Sequence, residues 1–279
     1  MSDRQVRRGT ARLRRLRQRL RSPERTRTRL RRVSLGRLLP NVLTMLGLCA
    51  GLTAIRFGME GRFGAAALAI TVAAAIDGID GRLARLLRVT SRFGAEFDSL
   101  SDFLSFGVAP ALVLWEWSLQ RAGGYGFVPC LLFAVCMALR LARFNATLDA
   151  PPPSPRFSVG VPAPAGAGLV LFPLFVALEA RSLGWNWVES AVSHPILSAF
   201  ILTGTAALLV STLPVWSGKG FRLSRMAALP VLLGSGLFAA FLVADPFAAL
   251  AIASAIYAAS LPLARMAARR AATAEGARA

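Results

Sequence analysis

Histidine is almost missing from this chain of 279 residues, where His194 stands alone and far from the densest group of acidic residues. A catalytic base or metal centre built on imidazole is therefore a poor fit. His194 reads instead as an interfacial residue at the end of a short loop, Ser182–His194. Cysteine is scarce too. Cys49, Cys130 and Cys136 lie in or beside apolar stretches and show no CxxC spacing, so they read as small core residues rather than zinc or redox ligands. Acidic residues number only 14 against 33 basic ones. The arginine-rich start is not followed by an early apolar core, so a cleavable signal peptide is not expected. No internal repeat is visible.

What the chain has in excess is apolar side chain: 55% of it is hydrophobic and its mean hydropathy is +0.54. That exceeds what an ordinary soluble domain carries. The apolar residues also run in blocks nearly free of charge, each about 17–25 residues long, the length a helix needs to cross a bilayer. The expected spans are Leu39–Phe57, Phe63–Leu87, Gly94–Leu119, Phe127–Thr147, Val159–Ala180, Ile196–Leu213, Ala227–Val243 and Pro246–Arg265. The fold class is thus an all-α, polytopic transmembrane helix bundle of about eight spans. Weak boundaries between Val192 and Leu263 leave six or seven crossings open.

A net charge of +19 and a pI near 11.8 would suggest nucleic acid in a soluble chain. The positions of the charges argue otherwise. With the N-terminus inside, 29 Lys and Arg fall in cytoplasmic segments and only Arg56, Arg62, Arg121 and Arg181 fall outside. This is the positive-inside pattern of a membrane protein, and an even number of spans puts both termini in the cytoplasm. The chain then divides into a basic tail (1–38), a transmembrane domain (39–265) and a cytoplasmic C-terminal tail (266–279). In the basic tail Leu13, Leu16 and Leu20 recur at helical spacing among arginines. It reads either as a helix lying on an anionic leaflet or as a solvated charge run. Organelle targeting is a third option, because transit peptides are also Arg-rich and poor in acids.

Five of the 14 acidic residues crowd into positions 77–102. Asp77 and Asp80 end the second span, and Asp98 and Asp102 begin the third. Spacings of three and four put each pair on one helix face. The turn 88–93 can hold the two helices antiparallel, so that four carboxylates converge. Each costs roughly 2.5–3.5 kcal/mol at membrane depth even on lenient insertion scales, and they repel one another. A cation must offset this. Magnesium or manganese fits an all-oxygen donor set, and paired ions of this kind serve displacement at phosphorus. Salt bridges to Arg82, Arg85, Arg88 and Arg92 are the plainer alternative, but they do not explain the neighbouring glycines. Gly81 and Gly94 can let a flat base or ribose approach the backbone, Ala84 keeps the same face small, and Arg85 can donate to a pyrophosphate. Downstream, four prolines make Asp149–Arg156 a loop, and the small residues of Val161–Gly168 permit close helix packing or a kink beside a cavity.

The run Asp77-Gly78-Ile79-Asp80-Gly81-Arg82-Leu83-Ala84-Arg85, eight residues, Gly94, three residues, Asp98, three residues, Asp102 resembles the signature of the CDP-alcohol phosphotransferases, DxxDGxxAR-x8-GxxxDxxxD. Every defining position is matched. The resemblance implies a binuclear metal centre (Mg2+ or Mn2+) on Asp77, Asp80 and Asp98, with Asp102 as ligand or general base. It implies a CDP pocket lined by Gly81, Ala84, Arg85 and Gly94. Pro40-Asn41-Val42-Leu43-Thr44 is similar to the family's first-span P-N-x-L-T element, which implies that Asn41 and Thr44 contact the nucleotide or its phosphates.

Phe93–Pro110, Arg140–Asn145 (RLARFN) and Val161–Ala165 (VPAPA) further resemble the phosphatidylserine synthase branch, over roughly residues 38–225. Val161 stands where leucine is expected, and the basic tail is longer than usual. The branch implies CDP-diacylglycerol and L-serine as substrates, release of CMP, a cytoplasm-facing site in the cell (inner) membrane and a homodimer. Arg140 and Arg143, with Asn145 close behind, are the candidate acceptor-binding residues. Their charge would suit an acceptor carboxylate or phosphate equally, so glycerol phosphate, inositol phosphate and choline remain rival acceptors. An aspartate-rich intramembrane prenyltransferase would show NDxxD motifs and would not need the glycines. An ion transporter would spread its acids through the bilayer. Nucleic acid is not an expected partner.

Overall fold

The computed structural model describes residues 35–87, 91–146, 157–211, 214–216 and 225–276. The basic tail up to residue 34, Arg88, the proline loop Asp149–Arg156 and the last three residues lie outside them. The described chain is a helix bundle. In order it comprises α1 (Leu35–Met59), α2 (Phe63–Leu87), α3 (Arg92–Asp102), a π-helical segment (Phe103–Val108), α4 (Ala109–Trp117), a 3-10 segment (Leu119–Gly126) and α5 (Phe127–Ala146). There follow α6 (Ala163–Ser182), α7 (Asn186–Val192), α8 (Pro195–Val210), α9 (Arg225–Ala244) and α10 (Pro246–Gly276). The only β-structure among the described residues is a pair of three-residue antiparallel strands, β1 (Phe157–Val159) and β2 (Pro214–Trp216), which ties the entry to α6 to the exit from α8.

Among the described residues, six helical stretches are long and apolar enough to cross a membrane: Leu39–Met59, Phe63–Leu87, Arg92–Trp117, Leu119–Ala146, Ala163–Ser182 and Pro246–Ala267. The expected span Ile196–Leu213 is the bent pair α7 and α8, which makes a seventh if its 52° break is taken within one crossing. The break falls where Pro195 opens α8 and His194 caps it, accepting a hydrogen bond from the Ile196 amide at 3.4 Å. The remaining expected span, Ala227–Val243, is α9. Its described apolar stretch, Leu229–Ala244, is shorter than a crossing by length, so among the described residues six or seven stretches qualify, within the expected range.

Small residues decide how closely these helices approach. α1 ends in a Schellman cap: Gly61 takes φ +70°, its amide bonds Gly58 O, and Arg62 N bonds Phe57 O at 2.8 Å. The tight turn lays α2 back alongside. On α1, Gly51 faces Ser105 so closely that an added Cβ would lie 2.9 Å from the Ser105 Cα. Ser101 and Ser105, four apart, donate to the Thr44 and Gly47 carbonyls of α1. In an apolar solvent such hydroxyls must find partners inside the bundle, so they pin α3 and the π segment to α1.

The π segment has a local cause. Pro110 offers no N–H and its ring crowds the Phe106 carbonyl, so the Ala109 amide reaches back five residues to Leu104 O. On the other side of the bundle, Gly166 of α6 leaves room for Leu209 and Met137, and Ser254 of α10 donates to Gly168 O at 3.1 Å. The small residues after Val161 therefore serve close packing, as expected. Cys130 is core and Cys136 half-buried, whereas Cys49 lies on the outer surface of α1. An apolar thiol meets no penalty facing lipid, which corrects its reading as a core residue.

Candidate active site

Ser91 fixes where α3 begins. Its backbone is extended, and its hydroxyl accepts a hydrogen bond from the Gly94 amide at 2.9 Å, the geometry of an N-cap. From that start, Asp98 and Asp102 fall one turn apart on the face turned to α2, which brings Asp77. Asp77, Asp98 and Asp102 each offer a carboxylate oxygen, and these oxygens lie within 4.8 Å of one another. Three hard oxygen donors gathered this way suit a divalent cation such as magnesium or manganese. The salt-bridge alternative gains nothing from Arg85, whose Nε donates to Gly81 O of its own helix at 2.9 Å. The ion pairs Arg56–Glu60 and Arg181–Glu189 sit at helix ends remote from these aspartates.

Asp80 does not join that group of three. It is 4% exposed, and its Oδ2 accepts a hydrogen bond from the Thr44 hydroxyl of α1 at 3.1 Å. Thr44 is itself buried and also lies 3.1 Å from Pro40 O. The structure thus places Thr44 against a carboxylate of the cluster. Asn41, one turn earlier, approaches Gly94: a Cβ there would meet Asn41 Oδ1 at 3.1 Å and Ser91 Oγ at 3.0 Å. The two glycines of the motif consequently differ. Gly94 makes room for Asn41 and the cap, whereas a Cβ on Gly81 or Gly78 would meet nothing within 4 Å. Gly81 is the one whose open face suits an approaching ligand. The Ala84 side chain lies outside the described residues.

The sequence profile of the CDP-alcohol phosphatidyltransferase family matches residues 37–210, which hold α1 to α8 and all four aspartates. The chain belongs to that family. A second profile, CDP-alcohol phosphatidyltransferase 2, matches residues 227–262 in α9 and α10. The chain is 45% identical over 181 residues to a CDP-diacylglycerol–serine O-phosphatidyltransferase of Mycobacterium tuberculosis, a stretch covering 64% of this chain and 60% of that relative. Proteins of the same name from Helicobacter pylori (35% over 176 residues, 63% of this chain and 70% of the relative) and Bacillus subtilis (31% over 157 residues, 54% and 86%) are also similar. CDP-alcohol phosphatidyltransferases are generally divalent-metal dependent, in keeping with the three gathered carboxylates.

In this family member the three candidate acceptor residues part company. Arg140 turns inward: its Nε is buried without a hydrogen-bond partner, and it lies within electrostatic reach of Asp102 and of Tyr257 on α10. Arg143 is exposed and donates to the Val210 carbonyl at the end of α8, at 3.5 Å. Asn145 bonds Ser99 of α3, with Nδ2 donating at 2.9 Å, and so fastens α5 to the helix of Asp98 and Asp102. A spacing of three leaves about 60° between two side chains around a helix, enough to send them to different neighbours. The sequence reasoning overlooked Ser99, Ser101 and Ser105, although Ser99 and Ser101 lie between Asp98 and Asp102 and Ser105 follows Ser101 at a spacing of four. It also overlooked Tyr257. The signal there was rarity: the chain has two tyrosines, and Tyr257 is the one inside a span expected from the sequence, Pro246–Arg265.

Proposed function

We propose that this chain transfers the phosphatidyl group of CDP-diacylglycerol to the hydroxyl of L-serine, releasing CMP and forming phosphatidylserine at the cytoplasmic face of the cell membrane. The observation that carries the reading is the convergence of Asp77, Asp98 and Asp102 in a motif with every family position filled. The names of the relatives support serine as the acceptor. The distribution of arginines supports a cytoplasmic orientation of this end of the bundle and of both termini.

Asp77, Asp98 and Asp102 would hold divalent metal, Mg2+ or Mn2+, with Asp80, held by the Thr44 hydroxyl, as the further ligand of a two-ion set. Bound metal supplies neutralising charge to the pyrophosphate oxygens. The chain's own residues do the rest. Gly81 leaves its open face to the cytidine, and Arg85, released from Gly81 O, donates to the pyrophosphate. The acceptor hydroxyl attacks the lipid-bearing phosphorus, the bond from that phosphorus to the CMP oxygen breaks, and the hydroxyl proton passes to a carboxylate oxygen of Asp102. Arg140, beside Asp102, faces the acceptor and holds its anionic group.

The test is CMP release by the purified full chain in detergent with CDP-diacylglycerol and Mg2+, offered L-serine, glycerol phosphate, inositol phosphate or choline in turn. Turnover with serine well above the other three is expected. Faster turnover with glycerol phosphate would assign the chain to another acceptor within the family. Full activity with every divalent ion chelated would overturn the metal-based mechanism.

A further inference from the structure

Two donor atoms in the described chain are buried with no hydrogen-bond partner: the Nε of Arg140 and the hydroxyl of Tyr257. In a membrane-embedded bundle each such atom is costly, because no lipid can satisfy it. Arg140 and Tyr257 lie within electrostatic reach of each other, and Arg140 likewise of Asp102. Tyr257 further lines a cavity of about 250 Å³ together with Thr71, Ala74, Phe106 and Ser254. Ala74 and Phe106 stand about one helical turn from Asp77 and Asp102 respectively. The cavity therefore opens one turn below the carboxylates, away from the helix ends. The other hydroxyls on its wall are occupied, since Thr71 donates to Ala67 O and Ser254 to Gly168 O. Tyr257 alone among them has a donor to spare.

We infer that Tyr257 and Arg140 form a two-donor clamp for the anionic group of the acceptor, with Tyr257 as a specificity-determining residue supplied by α10. The inference rests on the acceptor reading above and extends it to a helix that the main family profile does not reach. An acceptor carboxylate takes one hydrogen bond from the Arg140 guanidinium and one from the Tyr257 hydroxyl. Both donors are then satisfied, and the acceptor's own hydroxyl is left on the Asp102 side. The same pair fits a phosphate oxygen, so the clamp selects for an anion and the surrounding space selects its size.

The experiment is steady-state CMP release by the full chain and by Tyr257→Phe, which keeps the ring that lines the cavity and removes one donor. A hydrogen bond to a charged group is typically strong enough that its loss weakens binding about tenfold or more. The KM for L-serine should rise by that factor while kcat and the KM for CDP-diacylglycerol hold. L-serinamide, which lacks the carboxylate charge, should compete better against serine in Tyr257→Phe than in the wild type. An unchanged serine KM overturns the clamp, as does a rise shared equally by serine and CDP-diacylglycerol, which marks a structural role. Arg140→Lys supplies a second arm: Tyr257→Phe should cost less in that background than alone, and strictly additive effects also overturn the clamp. If the wild type ignores serine but uses glycerol phosphate, the serine reading falls. The clamp is then judged on the KM for glycerol phosphate, which must show the same rise.

Discussion

Replacing Thr44 by valine removes one hydroxyl, keeps the side-chain volume, and separates two roles for this residue. Thr44 and Asp80 are 6% and 4% exposed, and their side-chain oxygens are 3.1 Å apart. Water cannot replace the lost donor at that depth, so Asp80 keeps its place only through its own helix. A hydrogen bond to a charged group contributes about 1.5–3 kcal/mol, equivalent to roughly ten- to hundredfold in an equilibrium constant. If Thr44 acts by orienting Asp80, the loss falls on metal affinity, and removing such a supporting partner typically costs about 10–100-fold there. CMP release should then need about that much more Mg2+ for half-maximal rate, with near-normal turnover and an unchanged KM for CDP-diacylglycerol once metal is saturating. If Thr44 instead touches the nucleotide, Thr44→Val raises the KM for CDP-diacylglycerol and leaves the Mg2+ dependence alone. A Mg2+ titration at fixed lipid in mixed micelles distinguishes the two. A valine variant with wild-type Mg2+ dependence would refute the orienting role.

Asp98→Asn should remove activity while the protein still elutes as a folded species from size-exclusion chromatography, because the carboxylate serves as a ligand rather than as packing; a fully active variant would exclude Asp98 from the metal set. Asp102→Asn should abolish turnover yet still bind CDP-diacylglycerol, whereas Arg85→Ala should weaken that binding, and equal loss in both would show that the two roles are not divided. Gly51→Leu should lower thermal stability in detergent by about 1–3 kcal/mol, the usual cost of overpacking, since its Cβ would lie 2.9 Å from the Ser105 Cα. Gly204→Ala, where a Cβ would meet nothing within 4 Å, is the control and should leave stability unchanged or slightly raised.

The sequence by itself determined that the chain lives in a bilayer, because hydropathy over a helix length reports transfer into lipid whatever the neighbours are. It determined that aspartates meet at the junction of the second and third spans, since spacings of three and four are settled by helix geometry and the turn is short. Motif spacing carried the family for the same reason. Tertiary structure decided what depended on the register between helices. Asp80 bonds Thr44 of α1, a helix whose depth is set by Gly51 against Ser105 and by serine hydroxyls on its carbonyls. Arg140 and Arg143 look alike in sequence, yet one is buried toward Asp102 and the other reaches the end of α8. Tyr257 is brought within electrostatic reach of Arg140 by the packing of α10 on α6, where Ser254 meets Gly168. No periodicity along one helix encodes which neighbour it will face. That is fixed only when small residues on several helices let their backbones close together.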